Sequence, residues 1–197
     1  MPTVDLSRFS NPEFDRGASR FKETLWLLVN SLFFAPAMPW PSVFRVFWLR
    51  WFGAKIGRGV VIKPQVKITF PWKLTLGNHV WLGEECWLLD LEKIIIADNV
   101  CISQRAFLCT GNHNYKSPTF DLIAKPIQVE AGAWIGAGAF VGPGVNVGSH
   151  AVLSTGSVAT DDLQTFGIYR GNPAVLIKQR EIGAKTETLK IENKAES

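Results

Sequence analysis

The chain has 197 residues, of which 47% are hydrophobic and 19% are charged, and its formal net charge is +4. This size and composition can bury one good core, so we expect one main domain with appendages. The first 20 residues are polar and lack an apolar h-region, so no secretory signal peptide is expected. Cys86, Cys101 and Cys109 lack the spacing of a disulfide framework or a zinc site, which favours reduced thiols in a cytoplasmic protein.

The positive charge and half of the tryptophans lie in the amino-terminal segment. Residues 1–58 hold eight Lys and Arg against four Asp and Glu, whereas the rest of the chain holds thirteen of each charge. The segment predicts two short helices around a proline break, the second of them capped by Ser42. The apolar positions at helical spacing are Phe21, Leu25, Leu28 and Leu32 in the first helix, and Phe44, Phe47, Trp48 and Trp51 in the second.

These helices are not predicted to span a membrane. Three prolines between residues 36 and 41 interrupt the apolar run, and Arg45 and Arg50 follow it. Two interpretations stay open. The helices cover an end or flank of the next domain or an oligomer interface, or they present a basic, aromatic surface to an anionic membrane.

From Ile56 onward an aliphatic or small residue recurs every six residues, a period that fits neither an α-helix nor an ordinary strand. It is typical of a parallel β-helix, in which three hexads make one coil and the opening residue of each hexad points inward. Between the first sets the phase slips by two residues, which predicts coils of 20 residues with a bulge at one corner. The opening residues are Ile56, Ile62, Ile68, Leu76, Leu82, Leu88, Ile96, Ile102 and Leu108, then Val129, Ile135, Val141, Val147, Leu153 and Ala159.

The repeat predicts an all-β parallel β-helix of about five coils, interrupted by a long loop, CTGNHNYKSPTFDLIAKPIQ, at residues 109–128. Long loops in compact folds are often functional. His79 and His150 share the fourth place of their hexads and are predicted to be exposed corner residues, whereas His113 in the loop is off the repeat. A single histidine in a polar loop is ordinarily only solvated, so the pattern alone does not assign it a function.

Several motifs carry a resemblance over residues 20–180. The hexads, the histidine loop, AWIGAGAFVGPGVNVG and the closing RGNPA are similar to the left-handed β-helix acetyltransferases. Within that group, LWLLVNSLFF, FGAKIG, CTGNHNYKSPTFDLIAKPI and YRGNPA most resemble the colanic-acid-type polysaccharide O-acetyltransferases. The left-handed sense of the coil is implied by this resemblance and not by the period. The expected organisation is a helical segment over 1–55, the β-helix over 56–172 and an extension over 173–197.

The resemblance implies that an acetyl group passes directly from acetyl-CoA to a sugar hydroxyl, without a covalent intermediate and without a metal. His113 matches the family's catalytic histidine. An imidazole with a pKa near 6.5 can accept the proton of an attacking hydroxyl, and such general base catalysis contributes about 10²–10⁴ in rate. The candidates for orienting this ring, or for binding the acceptor, are Asp90, Glu84, Glu85 and Asn114.

The family also implies a homotrimer whose active sites lie in the grooves between the β-helices. The predicted cofactor-binding residues are Trp134, Ala137, Gly138, Thr155, Gly156 and Thr160 along the groove, and Arg170, Pro173, Lys178 and Arg180 at the adenosine and phosphate end. Asp161 and Val175 stand where the family commonly has basic residues, so Lys178 or Arg180 must compensate. The charged tail after Ile182 is expected to fray.

The predicted acceptor is a saccharide or a lipid-linked sugar in exopolysaccharide or glycan biosynthesis. The enzyme is expected in the cytoplasm, peripheral to the inner face of the membrane if the amino-terminal segment binds lipid, and no nucleic-acid partner is expected. Three other functions were weighed: N-acylation of an amino sugar, a non-catalytic scaffold at the membrane, and metal-dependent hydration. The last needs three converging histidines, and the spacing of His79, His113 and His150 gives no such cluster.

Overall fold

The computed structural model describes residues 3–11 and 14–183. The helices are α1 (Arg20–Phe33) and α2 (Ser42–Trp51), with short 3₁₀ turns at Leu6–Arg8 and Pro71–Lys73. The strands in chain order are β1 (Lys55–Ile56), β2 (Val61–Ile62), β3 (Lys67–Ile68), β4 (Leu74–Leu76), β5 (Trp81–Leu82), β6 (Trp87–Leu89), β7 (Ile94–Ile96), β8 (Cys101–Ile102), β9 (Phe107–Cys109), β10 (Gly111–His113), β11 (Leu122–Ala124), β12 (Ile127–Val129), β13 (Trp134–Ile135), β14 (Phe140–Val141), β15 (Asn146–Val147), β16 (Val152–Leu153), β17 (Val158–Ala159), β18 (Gly167–Gly171) and β19 (Ala174–Gln179).

The short strands stack into three parallel sheets that form the faces of a β-helix. The first face has the order β1-β4-β7-β12-β15, the second β2-β5-β8-β13-β16-β18, and the third β3-β6-β9-β14-β17. β19 pairs antiparallel with β18 and closes the second face. The predicted all-β parallel β-helix is therefore confirmed, with five coils and the start of a sixth within the described residues.

The hexad openings lie one above another inside the β-helix, as predicted. On the second face, for example, Ile62, Leu82 and Ile102 are in register, and Ile135 and Leu153 continue the column. Each opening residue is buried except Ile56, which is half-buried in the first coil. Stacking of aliphatic side chains at one strand spacing, about 4.8 Å, supplies the hydrophobic core of the domain.

One corner, between the third and first faces, absorbs every departure from the six-residue period. The first two coils are 20 residues long, as Ile56, Leu76 and Ile96 are in register, and their extra residues lie at this corner. In the third coil, the hairpin of β10 and β11 is inserted at the same corner, and the chain then returns to pair Val129 with Ile96. The predicted bulge and the predicted loop thus share a single position on the β-helix.

The two helices cover the first coil. Trp26 is buried and its Nε1 donates to the Ile68 carbonyl, 3.0 Å away. Arg45 is also buried and donates to the carbonyls of Trp40, Met38, Ile62 and Phe33 at 2.6 to 3.3 Å. The interpretation that the helices cover an end of the domain is confirmed for their inner side.

Two details of the helix prediction were wrong. Ser42 is the first residue of α2 and not its cap, because its hydroxyl bridges to the backbone of Ile62 in the first coil. Arg45 does not belong to a basic surface, because the carbonyls at the turn between the helices enclose its guanidinium.

Among the residues that the structure describes, none forms a helix with the length and hydropathy needed to cross a bilayer. The expected fraying of the tail falls on residues 184–197, which lie outside the described ranges.

Candidate active site

His113 ends β10 and its ring is held by the hairpin itself. Its Nδ1 lies 2.8 Å from the carbonyl oxygen of Phe120, and the two rings stack with centroids 4.3 Å apart and 8° between their planes. Phe9 packs on the ring from another side at 5.9 Å. A carbonyl oxygen only accepts hydrogen bonds, so Nδ1 carries the proton in the neutral ring and Nε2 keeps its lone pair. This arrangement suits a general base acting through Nε2.

In this protomer the Nδ1 of His113 bonds to the Phe120 carbonyl and to none of the four candidate side chains, so their orienting or acceptor-binding role stays a prediction. Asn114 accepts from the backbone N–H of Lys116 at 3.2 Å, and Glu84 is an exposed corner residue. Glu85 pairs with Arg105 in a two-pronged ion pair with N–O distances of 2.9 and 3.1 Å, which lowers the pKa of the Glu85 carboxyl. The orienting group is a backbone carbonyl, which no side-chain pattern in the sequence reveals.

Asp90 is fully buried in the bulged corner. Its Oδ1 accepts from the backbone N–H groups of Thr69 and Phe70 at 2.9 and 2.7 Å, and its Oδ2 has no partner among the described residues. Burial raises the pKa of Asp90 to about 7, although the two hydrogen bonds act in the opposite direction. One coil further, Thr110 holds the same corner by donating to the Leu89 carbonyl. Asp90 thus ties the corner below the hairpin, and a role in acceptor binding stays a prediction.

The base of the hairpin borders a cleft that reaches the last coils. The cleft has a volume of about 340 Å³ and is lined by Gly111, Asn112, Ile123 and Lys125 of the hairpin region and by Phe140, Gly142, Pro143 and Thr160. Thr160, one of the predicted cofactor-binding residues, therefore lies in the same cleft as Asn112, which directly precedes His113. The Lys125 side chain lies beside Gly144, 3.1 Å from the position that a Cβ would take there.

Ala137, Gly138, Thr155 and Gly156 form a bare ledge at the corner between the second and third faces, which we call the glycine ledge. One position at this corner has a positive φ in every coil, and it is filled by Gln65, Glu85 and Arg105 in the first three coils and by Gly138 and Gly156 in the last two. A Cβ added at Gly138 or Gly156 would meet no atom within 4 Å. Packing therefore does not require glycine here, other residues adopt the same backbone angles in the first three coils, and the missing side chains leave the backbone open to close approach.

The hairpin of β18 and β19 brings some of the predicted phosphate-binding residues to the glycine ledge. The N–H of Gly171 donates to Ser157 Oγ at 3.0 Å, so Arg170 and the turn containing Pro173 lie beside Gly156. Lys178 is exposed on β19. Arg180 lies elsewhere, because its Nη1 donates to the carbonyls of Gly132 and His150 at the corner between the first and second faces. Its predicted contact with the cofactor is not supported by this position.

The comparison with curated proteins identifies the family. No family model matches the chain. The chain is 43% identical over 176 residues to the protein named "Putative colanic acid biosynthesis acetyltransferase WcaF" of Escherichia coli K12, an alignment that covers 89% of this chain and 97% of that protein. The chain belongs to the colanic-acid-type hexapeptide-repeat acetyltransferases. The predicted family is therefore confirmed, and the chain is an acyltransferase.

Solved structures agree with the fold of this acetyltransferase. The hexapeptide-repeat acetyltransferase of Vibrio cholerae O1 biovar eltor complexed with acetyl coenzyme A matches it with a TM-score of 0.74 at 21% identity, covering 89% of this chain and 97% of that one. A maltose O-acetyltransferase from Clostridium difficile 630 matches with a TM-score of 0.74 at 23% identity, covering 82% and 88%. At these identities the likeness concerns the fold.

Trp134 and the two other histidines of the acetyltransferase lie away from the His113 hairpin. Trp134 lies on the second face, exposed, and its Nε1 donates to Ser103 Oγ at 2.9 Å. His79 and His150 occupy corners at positive φ, as predicted, but only His79 is exposed, since His150 stacks on Phe166. In the described part of the chain, no group of three His, Cys, Asp or Glu side chains is placed to hold a metal ion.

Proposed function

We propose that this acetyltransferase transfers the acetyl group of acetyl-CoA to a sugar hydroxyl, with His113 as the general base. The observation that carries the proposal is the fixed ring of His113, whose Nδ1 is committed to the Phe120 carbonyl and whose Nε2 is left to accept a proton. The family membership supplies the reaction, and the relative's name supplies the setting of polysaccharide biosynthesis.

The chemistry follows from the free Nε2. The imidazole accepts the proton of the acceptor hydroxyl as its oxygen attacks the thioester carbonyl. The tetrahedral oxyanion that forms is stabilised by a backbone N–H, and collapse expels the thiolate of coenzyme A, which takes the proton from the imidazolium. No protein nucleophile is needed. Cys86 is unsuited to that task in any case, because burial raises its thiol pKa to about 12.

The glycine ledge is the proposed resting place of the pantetheine arm. Its open backbone at Gly138 and Gly156 accepts a ligand in close contact, and Arg170 beside it offers a positive charge to the phosphates. Lys178 is the second candidate for the phosphates, whereas Arg180 is occupied by two carbonyl groups. Trp134 stands on the face next to the ledge.

The assembly is proposed to be a homotrimer. The His113 hairpin leaves the β-helix at the corner between the third and first faces, whereas the glycine ledge lies at the corner between the second and third. A face of the β-helix separates the two within one protomer. Packing of neighbouring copies side by side would bring the hairpin of one protomer to the ledge of the next, as the family resemblance implies.

The proposed acceptor is a saccharide or a lipid-linked sugar, met in the cytoplasm or at the inner face of the membrane. Thiol release from acetyl-CoA tests the reaction across a panel of nucleotide sugars, amino sugars and undecaprenyl-linked sugars. His113→Ala is expected to lower turnover on hydroxyl acceptors about 10²–10⁴-fold. His79→Ala is the matched control, as it removes an exposed corner histidine.

Three outcomes would contradict the proposal. Full turnover by His113→Ala would remove His113 as the base. Acetylation of amino sugars alone, with a small effect of His113→Ala, would favour N-acyl transfer, because an unprotonated amine needs a base less. Absence of acetyl-CoA binding would leave a non-catalytic scaffold.

A further inference from the structure

The outward side of the two covering helices is an exposed apolar surface, which we call the outer cap face. Its centre consists of side chains that are 57% to 78% exposed, namely Phe21, Leu28, Leu32, Phe47 and Trp51. The sequence prediction had grouped these residues as the apolar stripes of the two helices. The structure shows that Trp26, Val29, Val46 and Leu49 are buried against the β-helix instead, so the helices are apolar on both sides.

The exposed residues form one surface and not two separate stripes. Phe21 and Leu25 of α1 and Trp51 of α2 line the same shallow cleft. Phe33 joins the helices further along, as its ring stacks on Trp48 at 5.6 Å and meets Phe44 edge-on at 5.0 Å. Contiguous apolar surfaces of this kind on a folded protein mark interaction sites.

The shape and composition of the outer cap face fit a lipid surface. The two helices, 14 and 10 residues long, would extend about 21 and 15 Å, too short to cross a bilayer but suited to lying in its interface. Tryptophan and phenylalanine are favoured at the boundary between headgroups and acyl chains, and Trp48 and Trp51 lie at this surface.

The charge beside the outer cap face selects an anionic surface. Arg20 and Lys22 lie in the first turn of α1, within the segment that holds the whole positive excess of the chain, and Lys22 borders the same cleft as Phe21 and Trp51. Arg50 in the last turn of α2 is exposed, but its Nη2 donates to the carbonyls of Ile56 and Gly57. A second copy of the chain would bring the same basic residues face to face, which is unfavourable. Anionic lipid headgroups would complement them.

We propose that the outer cap face rests on the surface of an anionic bilayer. The inference extends the proposed function, because it would bring the enzyme to a membrane-borne acceptor. The cap covers the first coil, and the His113 hairpin leaves the third coil, roughly 10 Å higher at strand spacing. Asp5, which donates from its N–H to the Pro118 carbonyl, ties the hairpin to the amino-terminal segment. The base would then stand at the height of a headgroup-linked sugar.

Flotation of the full-length chain with vesicles tests the inference. Vesicles of phosphatidylcholine with about a third phosphatidylglycerol are expected to carry the protein upward, and pure phosphatidylcholine to carry much less. Leu28→Glu combined with Phe47→Glu should lower the partition coefficient about 100-fold or more. Ile177→Glu on β19 is the matched control, since Ile177 is also exposed but lies on the closing hairpin. Both variants change exposed positions, and circular dichroism checks that they fold.

Each result decides the matter. Binding that is lost in the double variant and kept in Ile177→Glu supports the inference, and so does quenching of tryptophan fluorescence by brominated lipids that falls in Trp51→Phe. Equal flotation of the double variant and the wild type, or none by either, overturns it. A smaller oligomer in the double variant by light scattering would assign the face to a second copy instead. Thiol release with a soluble nucleotide sugar should be unchanged in the double variant, so failure of vesicle binding is distinguishable from failure of the proposed reaction.

Discussion

Replacing Gly138 by Gln tests whether the cofactor lies on the glycine ledge. Gln65 occupies the equivalent position of the first coil at φ 60°, and Gly138 has φ 63°, so the new side chain adopts a backbone conformation that the fold already accepts. The left-handed conformation costs a non-glycine residue about 1–2 kcal/mol, and no atom lies within 4 Å of the added Cβ. We expect a fall of about 1 kcal/mol in the free energy of unfolding and a folded protein.

The same substitution should be much more harmful to cofactor binding. A glutamine side chain covers the backbone that the pantetheine arm would contact, and loss of a few contacts of this kind raises KM for acetyl-CoA about tenfold or more. Initial rates of thiol release at varied acetyl-CoA measure this, and urea unfolding measures stability. Gly132→Gln is the contrasting variant, because its Cβ would lie 2.6 Å from the His150 ring and should disturb the fold instead. An unchanged KM in Gly138→Gln and in Gly156→Gln would refute the assignment of the ledge.

Three further predictions concern stability. Burial raises the pKa of Asp90 to about 7 from an ordinary value of 3.8, so between these pH values the folded state keeps a proton that the unfolded state has lost. The free energy of unfolding of the wild type should therefore fall by up to about 4 kcal/mol, relative to that of Asp90→Asn, as the pH rises from 4 to 7. Parallel pH profiles of urea unfolding for the two proteins would contradict this. Arg45→Met should lower the free energy of unfolding by about 3–5 kcal/mol, because it leaves buried carbonyls without a donor, and a loss below about 1 kcal/mol would show that they find other partners. Glu85→Gln should shift the melting temperature very little, since its ion pair with Arg105 is exposed, and a large shift would show that this corner is more rigid than its exposure indicates.

The repeat was predictable because a single physical rule generates it. Each opening residue must stack on its counterpart one coil away, so the spacing of Ile62, Leu82 and Ile102 in the sequence predicts their register in the sheet. The two-residue phase slips predicted the corner bulges for the same reason. The corner positions of His79 and His150 followed from their shared place in the hexad.

The parts that could not be predicted depend on backbone groups or on both sides of an element. The partner of His113 is a carbonyl whose position arises from the pairing of β10 with β11, and no residue type encodes it. In α1 the spacing from Phe21 to Leu32 predicted an apolar stripe but not which side of the helix is buried, and the buried side is formed by Trp26 and Val29 instead. The burial of Arg45 could not be predicted, because its partners are backbone carbonyls, three at the turn between the helices and one on β2, and no residue type encodes them.

Confining all irregularity to one corner has a consequence for how such enzymes diversify. Ile96 pairs with Val129 despite the hairpin inserted between them, so the length of the hairpin does not alter the stacking of the columns. Changes in the size or composition of that excursion are therefore energetically separate from the columns that hold the domain together. A chimaera carrying a relative's hairpin between Cys109 and Ile127 should keep its melting temperature while acquiring a different preference for the molecule that it modifies.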